Sequence, residues 1–184
     1  MAVNKATHVA LLRGINVGGN RKLPMKSLVA LFTKAGCVDV ETYIQSGNVV
    51  FRAPSIVVRR LSGTITAAIE QQFGFSVPVV IRSQAELATT VTRNPFLNRG
   101  IDIAALHVAF LANVPDPVSV ADPDTTRSPG DLFILRGHDI YLWLPNGVAR
   151  TKLTNDYFDR TLKTVSTLRN WNTVLKLLEM AQSR

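Results

Sequence analysis

Hydrophobic positions change their period several times along this chain, and each change predicts an element. Residues 7–13 are mostly apolar, too few for a helix, and run into Gly14, which predicts a buried strand. After a glycine-rich loop, Met25, Leu28, Val29 and Phe32 recur at intervals of three and four. Pro24 stands at the first helical position and Gly36 beyond the end, the pattern of a short amphipathic helix. Residues 38–45 and 48–52 predict two strands joined through Ser46-Gly47-Asn48, where glycine supplies the positive φ of a tight hairpin. Val57, Leu61, Ile65, Ile69 and Phe73 predict a second helix that starts near Pro54-Ser55 and stops at Gly74, and residues 77–82 predict a fourth strand. Strand, helix, strand, strand, helix, strand is the split unit that builds a four-stranded antiparallel sheet under two helices, as in ferredoxin-like folds.

The second half reads as a degenerate copy of the first. Residues 83–92 predict a linking helix, and Asn94-Pro95 with Asn98-Arg99-Gly100 marks a boundary. Beyond it, His107-Val108-Ala109-Phe110-Leu111 echoes His8-Val9-Ala10-Leu11-Leu12, and residues 132–136 and 139–144 predict a second hairpin about Gly137-His138. Residues 115–130, rich in Pro and Asp, read as a loop with room for one helical turn. Leu168, Trp171, Val174, Leu175 and Leu178 line one face of a final helix opened by Arg169-Asn170-Trp171, with Arg169, Asn172 and Lys176 pointing elsewhere. The expected fold is therefore α+β: two ferredoxin-like (split βαβ) halves, antiparallel sheets covered by helices, with a C-terminal helix. The halves fall at 1–83 and 105–184, joined by the helix and loop of 84–104.

A chain of 184 residues, 46% hydrophobic and 18% charged, can bury the core such halves need, which excludes a disordered tail. No apolar run reaches the roughly 18 to 20 residues of a membrane-spanning helix, and the first residues lack the apolar segment of a secretory signal. A cytoplasmic location away from the membrane is the expectation. The single cysteine, Cys37, rules out an internal disulfide and a cysteine-based metal cluster. Charge adds more than composition does. The net charge is +8, with six basic residues and no acid in 1–35, five aspartates against Arg127 alone in 101–131, and seven bases against three acids in 145–184. Two basic ends thus flank an acidic middle, which favours a polyanionic partner if folding joins the ends and a solvated surface if it does not.

Candidate chemistry concentrates in the loop Arg13-Gly14-Ile15-Asn16-Val17-Gly18-Gly19-Asn20-Arg21-Lys22. Its glycines let backbone amides approach a ligand ahead of a helix N-terminus, and Arg21 and Lys22 add charge where an anion would rest. The spacing matches neither the dinucleotide glycine pattern nor a P-loop, so a turn with a solvated basic pair is the competing reading. Gln45-Ser46-Gly47-Asn48 reads as a hairpin turn in which Gln45 is free to bond a base or amide; no general base is tied to Ser46. Lys152 in Arg150-Thr151-Lys152, and Arg169-Asn170, either converge on the glycine loop to hold a phosphate or carboxylate, or belong to helix caps and core. His8, His107 and His138 have no metal-ligand spacing, the first two sit in apolar strands, and Asp156 and Asp159 read as ordinary surface acids of a helix.

The strings Leu11-Leu12-Arg13-Gly14-Ile15-Asn16-Val17-Gly18-Gly19, Tyr43-Ile44-Gln45-Ser46-Gly47-Asn48-Val49-Val50-Phe51 and Thr167-Leu168-Arg169-Asn170-Trp171-Asn172-Thr173 together resemble a bacterial family designated domain of unknown function 1697. The resemblance spans nearly the whole chain. It implies a stand-alone cytoplasmic α+β protein of two ferredoxin-like halves, and no activity. Leu168 stands where the family usually has threonine, and Thr151 where it often has serine; neither change touches a charged or amide group. These strings coincide with the polar stretches above. The expected site is a basic groove between the halves, formed by Arg13, Asn16, Gly18, Gly19, Asn20, Arg21, Lys22, Gln45, Ser46, Asn48, Lys152, Arg169 and Asn170. It would bind a phosphate-bearing small molecule, a nucleotide or a nucleic-acid strand, without cofactor or metal. The alternatives are an enzyme acting on a phosphorylated small molecule with Lys152 and Arg169 stabilising charge, and polar motifs that only hold the halves together.

Overall fold

A computed structural model of the chain describes residues 5–97, 99–118 and 122–184. The strands are β1 (Ala6–Leu12), β2 (Val38–Tyr43), β3 (Asn48–Ala53), β4 (Val79–Ser83), β5 (Leu106–Leu111), β6 (Leu132–Arg136), β7 (Asp139–Trp143) and β8 (Ser166–Asn170). The helices are α1 (Met25–Lys34), α2 (Ser55–Phe73), α3 (Gln84–Thr92), α4 (Asn155–Leu162) and α5 (Trp171–Gln182), with a 3-10 turn at Ile103–Ala105. The architecture is α+β, with two four-stranded sheets and five α-helices among the described residues, the last of them C-terminal. No described helix is long and apolar enough to cross a membrane.

The chain divides into two compact units, Met1–Ala88 with Leu177–Arg184, and Thr89–Lys176, so the dividing lines fall inside α3 and α5. In the first unit the strand order is β2-β3-β1-β4, and β1 pairs antiparallel with both β3 and β4. Apolar alternation on β1 and β3 places Ala10, Leu12, Val49 and Phe51 in one core with Leu28 and Phe32 of α1 and Leu61, Ile65 and Ile69 of α2. Phe32 and Phe51 meet with ring centroids 5.3 Å apart. Each of the larger side chains among them contributes about 1.5 to 3 kcal/mol when buried, so this face fixes the register of the sheet and the seat of α1. α2 stops where expected, at Gly74 with φ +77°.

The second unit has the order β6-β7-β5-β8, again antiparallel throughout. Its core joins Ala109, Leu111, Ile140 and Leu142 of the sheet to Leu153, Phe158 and Leu162. Between β5 and β6 the described residues of 112–131 hold turns and bends and no helical turn; residues 119–121 of the expected loop lie outside the described residues.

Several local expectations change. Leu168 and Arg169 belong to β8, not to the final helix: the β-branched run Thr164-Val165 and Thr167 favours extended backbone, and β8 pairs with β5 from Ser166 to Asn170. The buried positions of α5 are Trp171, Thr173, Val174, Leu177 and Ala181, whereas Leu175 is exposed. Arg169 is buried rather than turned outward. Pro24 caps α1 in extended backbone (ψ 137°) instead of entering it. Asp159 is not a plain surface acid, since its Oδ1 accepts from both the backbone N–H and the hydroxyl of Ser166 at 2.7 Å.

Candidate functional site

Two of the polar strings build one corner of the first unit. Past β1, the chain turns at Val17-Gly18-Gly19-Asn20, where the Asn20 N–H donates to the Val17 carbonyl at 3.1 Å. Gly18 and Gly19 have φ of +58° and +78°, the two positive values that a two-residue type I′ turn demands. These glycines therefore meet a backbone requirement that needs no ligand. Asn16, itself at φ +55°, fastens the turn to its surroundings. Its Oδ1 accepts from the Leu23 N–H at 2.8 Å, and its Nδ2 donates to the Leu23 carbonyl at 3.0 Å and the Gln45 carbonyl at 2.9 Å. The amide side chain thus stands in for a paired backbone segment, a role open to asparagine because it tolerates left-handed φ.

The hairpin turn 44–47 presses against the same corner. Leu12 N–H donates to the Gly47 carbonyl at 2.8 Å. A Cβ on Gly47 would lie 2.7 Å from Leu12 Cβ and 3.0 Å from Ile15 Cδ1, so glycine is required there by contact as well as by its φ of +77°. Asn48 is fully buried and donates through Nδ2 to the Tyr43 carbonyl at 3.2 Å.

Beside this corner lies an open cleft of about 540 Å³ lined by Asn16, Gly19, Lys22, Leu23, Pro24, Met25, Lys26 and Gln45. It contains the start of α1, whose Pro24 cap supplies no side-chain hydrogen bond and whose first turn has no acidic residue. The leading N–H groups of a helix have no intrahelical acceptor, and the helix dipole adds partial positive charge at that end. Lys22 and Lys26 add two full charges, and no carboxylate is among the lining residues. Four of the expected residues, Asn16, Gly19, Lys22 and Gln45, come together here. Leu23, Pro24, Met25 and Lys26 were missed. The available signal was a helix start with proline in place of a Ser, Thr, Asn or Asp cap. Arg13, Gly18, Asn20, Arg21, Ser46 and Asn48 are not lining residues; Arg21 folds back so that its Nη1 is 3.6 Å from the Cβ position of Gly14.

Lys152, Arg169 and Asn170 belong to the second unit. Lys152 is exposed, and its backbone is fixed by the Ser128 hydroxyl, which accepts from its N–H, and by Arg127, whose Nε donates to its carbonyl, both at 3.0 Å. Arg169 donates through Nη1 to Thr167 Oγ1 at 2.9 Å and to the Leu168 carbonyl at 2.8 Å. Burial pushes its guanidinium pKa down to about 10. Asn170 Oδ1 accepts from the Thr173 N–H at 2.8 Å, capping the start of α5.

His8 and His107 engage backbone and ring partners, and His138 Nδ1 lies 3.1 Å from Asp139 Oδ1. His8 Nδ1 is 2.9 Å from the Ala6 carbonyl and its ring stacks on Phe51, and His107 Nδ1 is 3.2 Å from the Ala105 carbonyl. Burial lowers the His107 pKa and raises those of the Tyr141 hydroxyl and the Cys37 thiol, the thiol to about 11. Hydrogen bonds from Thr126 lower that of Asp124. None of these groups lines the cleft. Among the described residues, no group of three His, Cys, Asp or Glu side chains is placed to hold a metal ion. The cleft brings two ammonium groups to a helix start, and its lining includes no carboxylate, imidazole or thiol.

Three comparisons bear on identity. The family model described as protein of unknown function (DUF1697) matches residues 6–141. The solved structure of conserved bacterial protein SP0830 from Streptococcus pneumoniae is similar in fold, with a TM-score of 0.70 at 21% identity over 97% of this chain and 99% of that one. Nothing among the curated proteins matches.

Proposed function

The chain belongs to the DUF1697 family of proteins of unknown function, which brings it no activity by membership, and we propose from its geometry that the first unit binds a phosphate-bearing ligand, a nucleotide or a nucleic-acid strand, at the start of α1. The carrying observation is the cleft in which the uncapped N-terminus of α1, Lys22 and Lys26 share one lining with no carboxylate. Backbone amides at a helix N-terminus suit a phosphate, and flanking ammonium groups add affinity that salt weakens. Of the other lining residues, Gly19 adds no side-chain bulk and Gln45 supplies a side-chain amide to orient a ligand body. The lining supplies no carboxylate, imidazole or thiol, so Lys22 and Lys26 are its titratable side chains, and an anion-binding role is the reading they support.

The deciding experiment is fluorescence anisotropy of labelled mixed-sequence RNA and DNA strands and of a labelled adenosine nucleotide, from low to physiological salt, with Lys22→Ala/Lys26→Ala alongside. Binding that weakens with salt and falls at least tenfold in the double variant is the expected result. For a bound single strand, losing two phosphate contacts should also flatten the salt slope by about 1.4. Failure of all three probes to bind at low salt, or equal binding by the double variant, would overturn the proposal.

We also infer that the two units are copies of one ferredoxin-like ancestor, the second having no counterpart of α1 among the described residues between β5 and β6. The same strand order recurs, and the central strands share their register: Val9 faces Val50 and Arg82, Val108 faces Tyr141 and Arg169. Arg82 and Arg169 are both buried, and each donates through Nη1 to the carbonyl of the residue before it. Each is followed by the residue that caps the next helix: Ser83 Oγ accepts from the Glu86 N–H, and Asn170 Oδ1 from the Thr173 N–H. This correspondence supports an architectural role for Arg169-Asn170, repeated at both strand-to-helix corners.

A further inference from the structure

The second unit holds an arginine whose setting the cleft at α1 does not explain. Arg127 is oriented on two sides: its Nε donates to the Lys152 carbonyl at 3.0 Å, and its guanidinium lies over the Tyr157 ring, 4.2 Å from the centroid. Tyr157 is fixed in turn, since its hydroxyl accepts from the Asp124 N–H at 2.6 Å. Asp124 feels the charge of Arg127, but its Oδ1 is taken by the N–H and hydroxyl of Thr126 at 2.8 and 2.7 Å. The Nη edge of Arg127 thus has no hydrogen-bond partner among the described residues. A planar fork held this way loses little entropy on binding a bidentate anion, which distinguishes it from a free surface arginine.

That arginine lines a cavity of about 420 Å³ with Thr154, Asp156, Tyr157, Arg160 and Thr161. Arg160 is an exposed second cation, also without an ion-pair partner among the described residues, so two arginines share the lining with Thr161 and with Thr154, whose Oγ1 accepts from the Tyr157 N–H at 3.2 Å. Asp156 adds one carboxylate, which repels a bare anion but accepts from a hydroxyl standing beside it. We propose that this cavity is a separate binding site for the phosphomonoester of a hydroxylated small molecule, its phosphate gripped by Arg127 and Arg160 and a ligand hydroxyl donating to Asp156. The volume fits a compact sugar phosphate. The site shares no lining residue with the cleft at α1, so neither proposal depends on the other.

Backbone amide shifts of the labelled full chain, titrated with ribose 5-phosphate and separately with ribose, test this directly. Saturable shifts at Tyr157 and Thr161 with the phosphate ester and none with ribose are expected. Arg127→Lys, which keeps the charge but loses the fork, and Arg160→Gln, on an exposed helix position, should each weaken the apparent affinity at least tenfold. A melting curve establishes that Arg160→Gln remains folded, so its result stands even if Arg127→Lys loosens the loop around Lys152. No saturable shift at α4, shifts confined to Lys22 and Lys26, or affinity retained by Arg160→Gln would each overturn the proposal.

Discussion

Gly47 offers the sharpest test of whether these polar strings serve the backbone. Replacing it with alanine adds one methyl group, and the structure states what that methyl meets: Leu12 Cβ at 2.7 Å and Ile15 Cδ1 at 3.0 Å. The first contact cannot relax by a rotamer change, because Cβ is fixed to the β1 backbone, which is itself bonded to the Gly47 carbonyl. Overpacking of this kind costs about 1 to 3 kcal/mol. The φ of +77° adds about 1 to 2 kcal/mol for an L-residue, giving about 2 to 5 kcal/mol together. Two other glycines separate the terms. Gly18 has φ +58° but nothing within 4 Å of its Cβ position, so Gly18→Ala should cost only the conformational part, about 1 to 2 kcal/mol. Gly63 lies in the middle of α2 with no positive φ and open space around it, so Gly63→Ala should stabilise by about 0.5 to 1 kcal/mol. Urea unfolding with a common m-value reads all three, and at about 2 to 4 °C per kcal/mol the Gly47 variant should melt on the order of 10 °C lower. If Gly47→Ala unfolds within about 0.5 kcal/mol of the parent, or Gly18→Ala costs as much as Gly47→Ala, the packing account of this corner is wrong.

Asn16→Asp keeps the acceptor for Leu23 N–H but removes both donors, so urea unfolding should show a loss of about 1 to 3 kcal/mol. Arg169→Ala should cost about 1 to 3 kcal/mol by the same assay, and Arg82→Ala a similar amount if the two arginines are counterparts. His107 is buried with its pKa below 6.5, so the folded chain takes up that proton less readily than the unfolded one. Its effect is absent well above that value and destabilises as the pH falls through and below it, so the drop in Tm between about pH 7.5 and 5.5 should shrink in His107→Gln. Cys37 is buried with its thiol raised to about 11, and thiolate is the reactive form, so a disulfide reagent should label it only as fast as the chain opens.

The elements of the first unit were legible because each carries its own period and its own stop. Val57, Leu61, Ile65 and Ile69 mark one helix face and Gly74 ends it, and no neighbour is needed to decide the matter. β8 was not legible, because Leu168, Trp171 and Val174 fall at helical spacing across a real boundary, and only pairing with β5 shows that Leu168 lies in a strand. The glycine loop was found but was open to two readings. Gly18 and Gly19 need positive φ for a turn just as they would to cradle an anion, and sequence records the residue type, not the purpose. Lys26 escaped notice because a lysine in a first helical turn is usually solvated. Its place in the cleft depends on where Asn16 and Gln45 bring the neighbouring turns.

The three polar strings, of which residues 11–19 and 43–51 fall inside the stretch matched by the family model, do mostly backbone work in this chain. Gly47 admits the close approach of Leu12 and Ile15, Asn16 bonds two carbonyls and an amide, Gly18 and Gly19 form a turn, and Arg169 and Asn170 finish a strand and begin a helix. Side chains spent in this way are unavailable to a ligand, so ligand chemistry has to come from residues the architecture leaves exposed. Of the residues that line the two cavities with a charged or amide group, only Asn16 and Gln45 lie within those strings; Lys22, Lys26, Arg127, Asp156 and Arg160 lie outside them. On the proposed readings, then, the charged groups that would hold a ligand lie outside the strings, and Asn16 and Gln45 are where the two roles meet. A chain with the same three strings but neutral residues at 22 and 26 should fold as this one does and lose the proposed phosphate site, whereas a chain altered at Gly47 should lose stability first and binding only as a consequence.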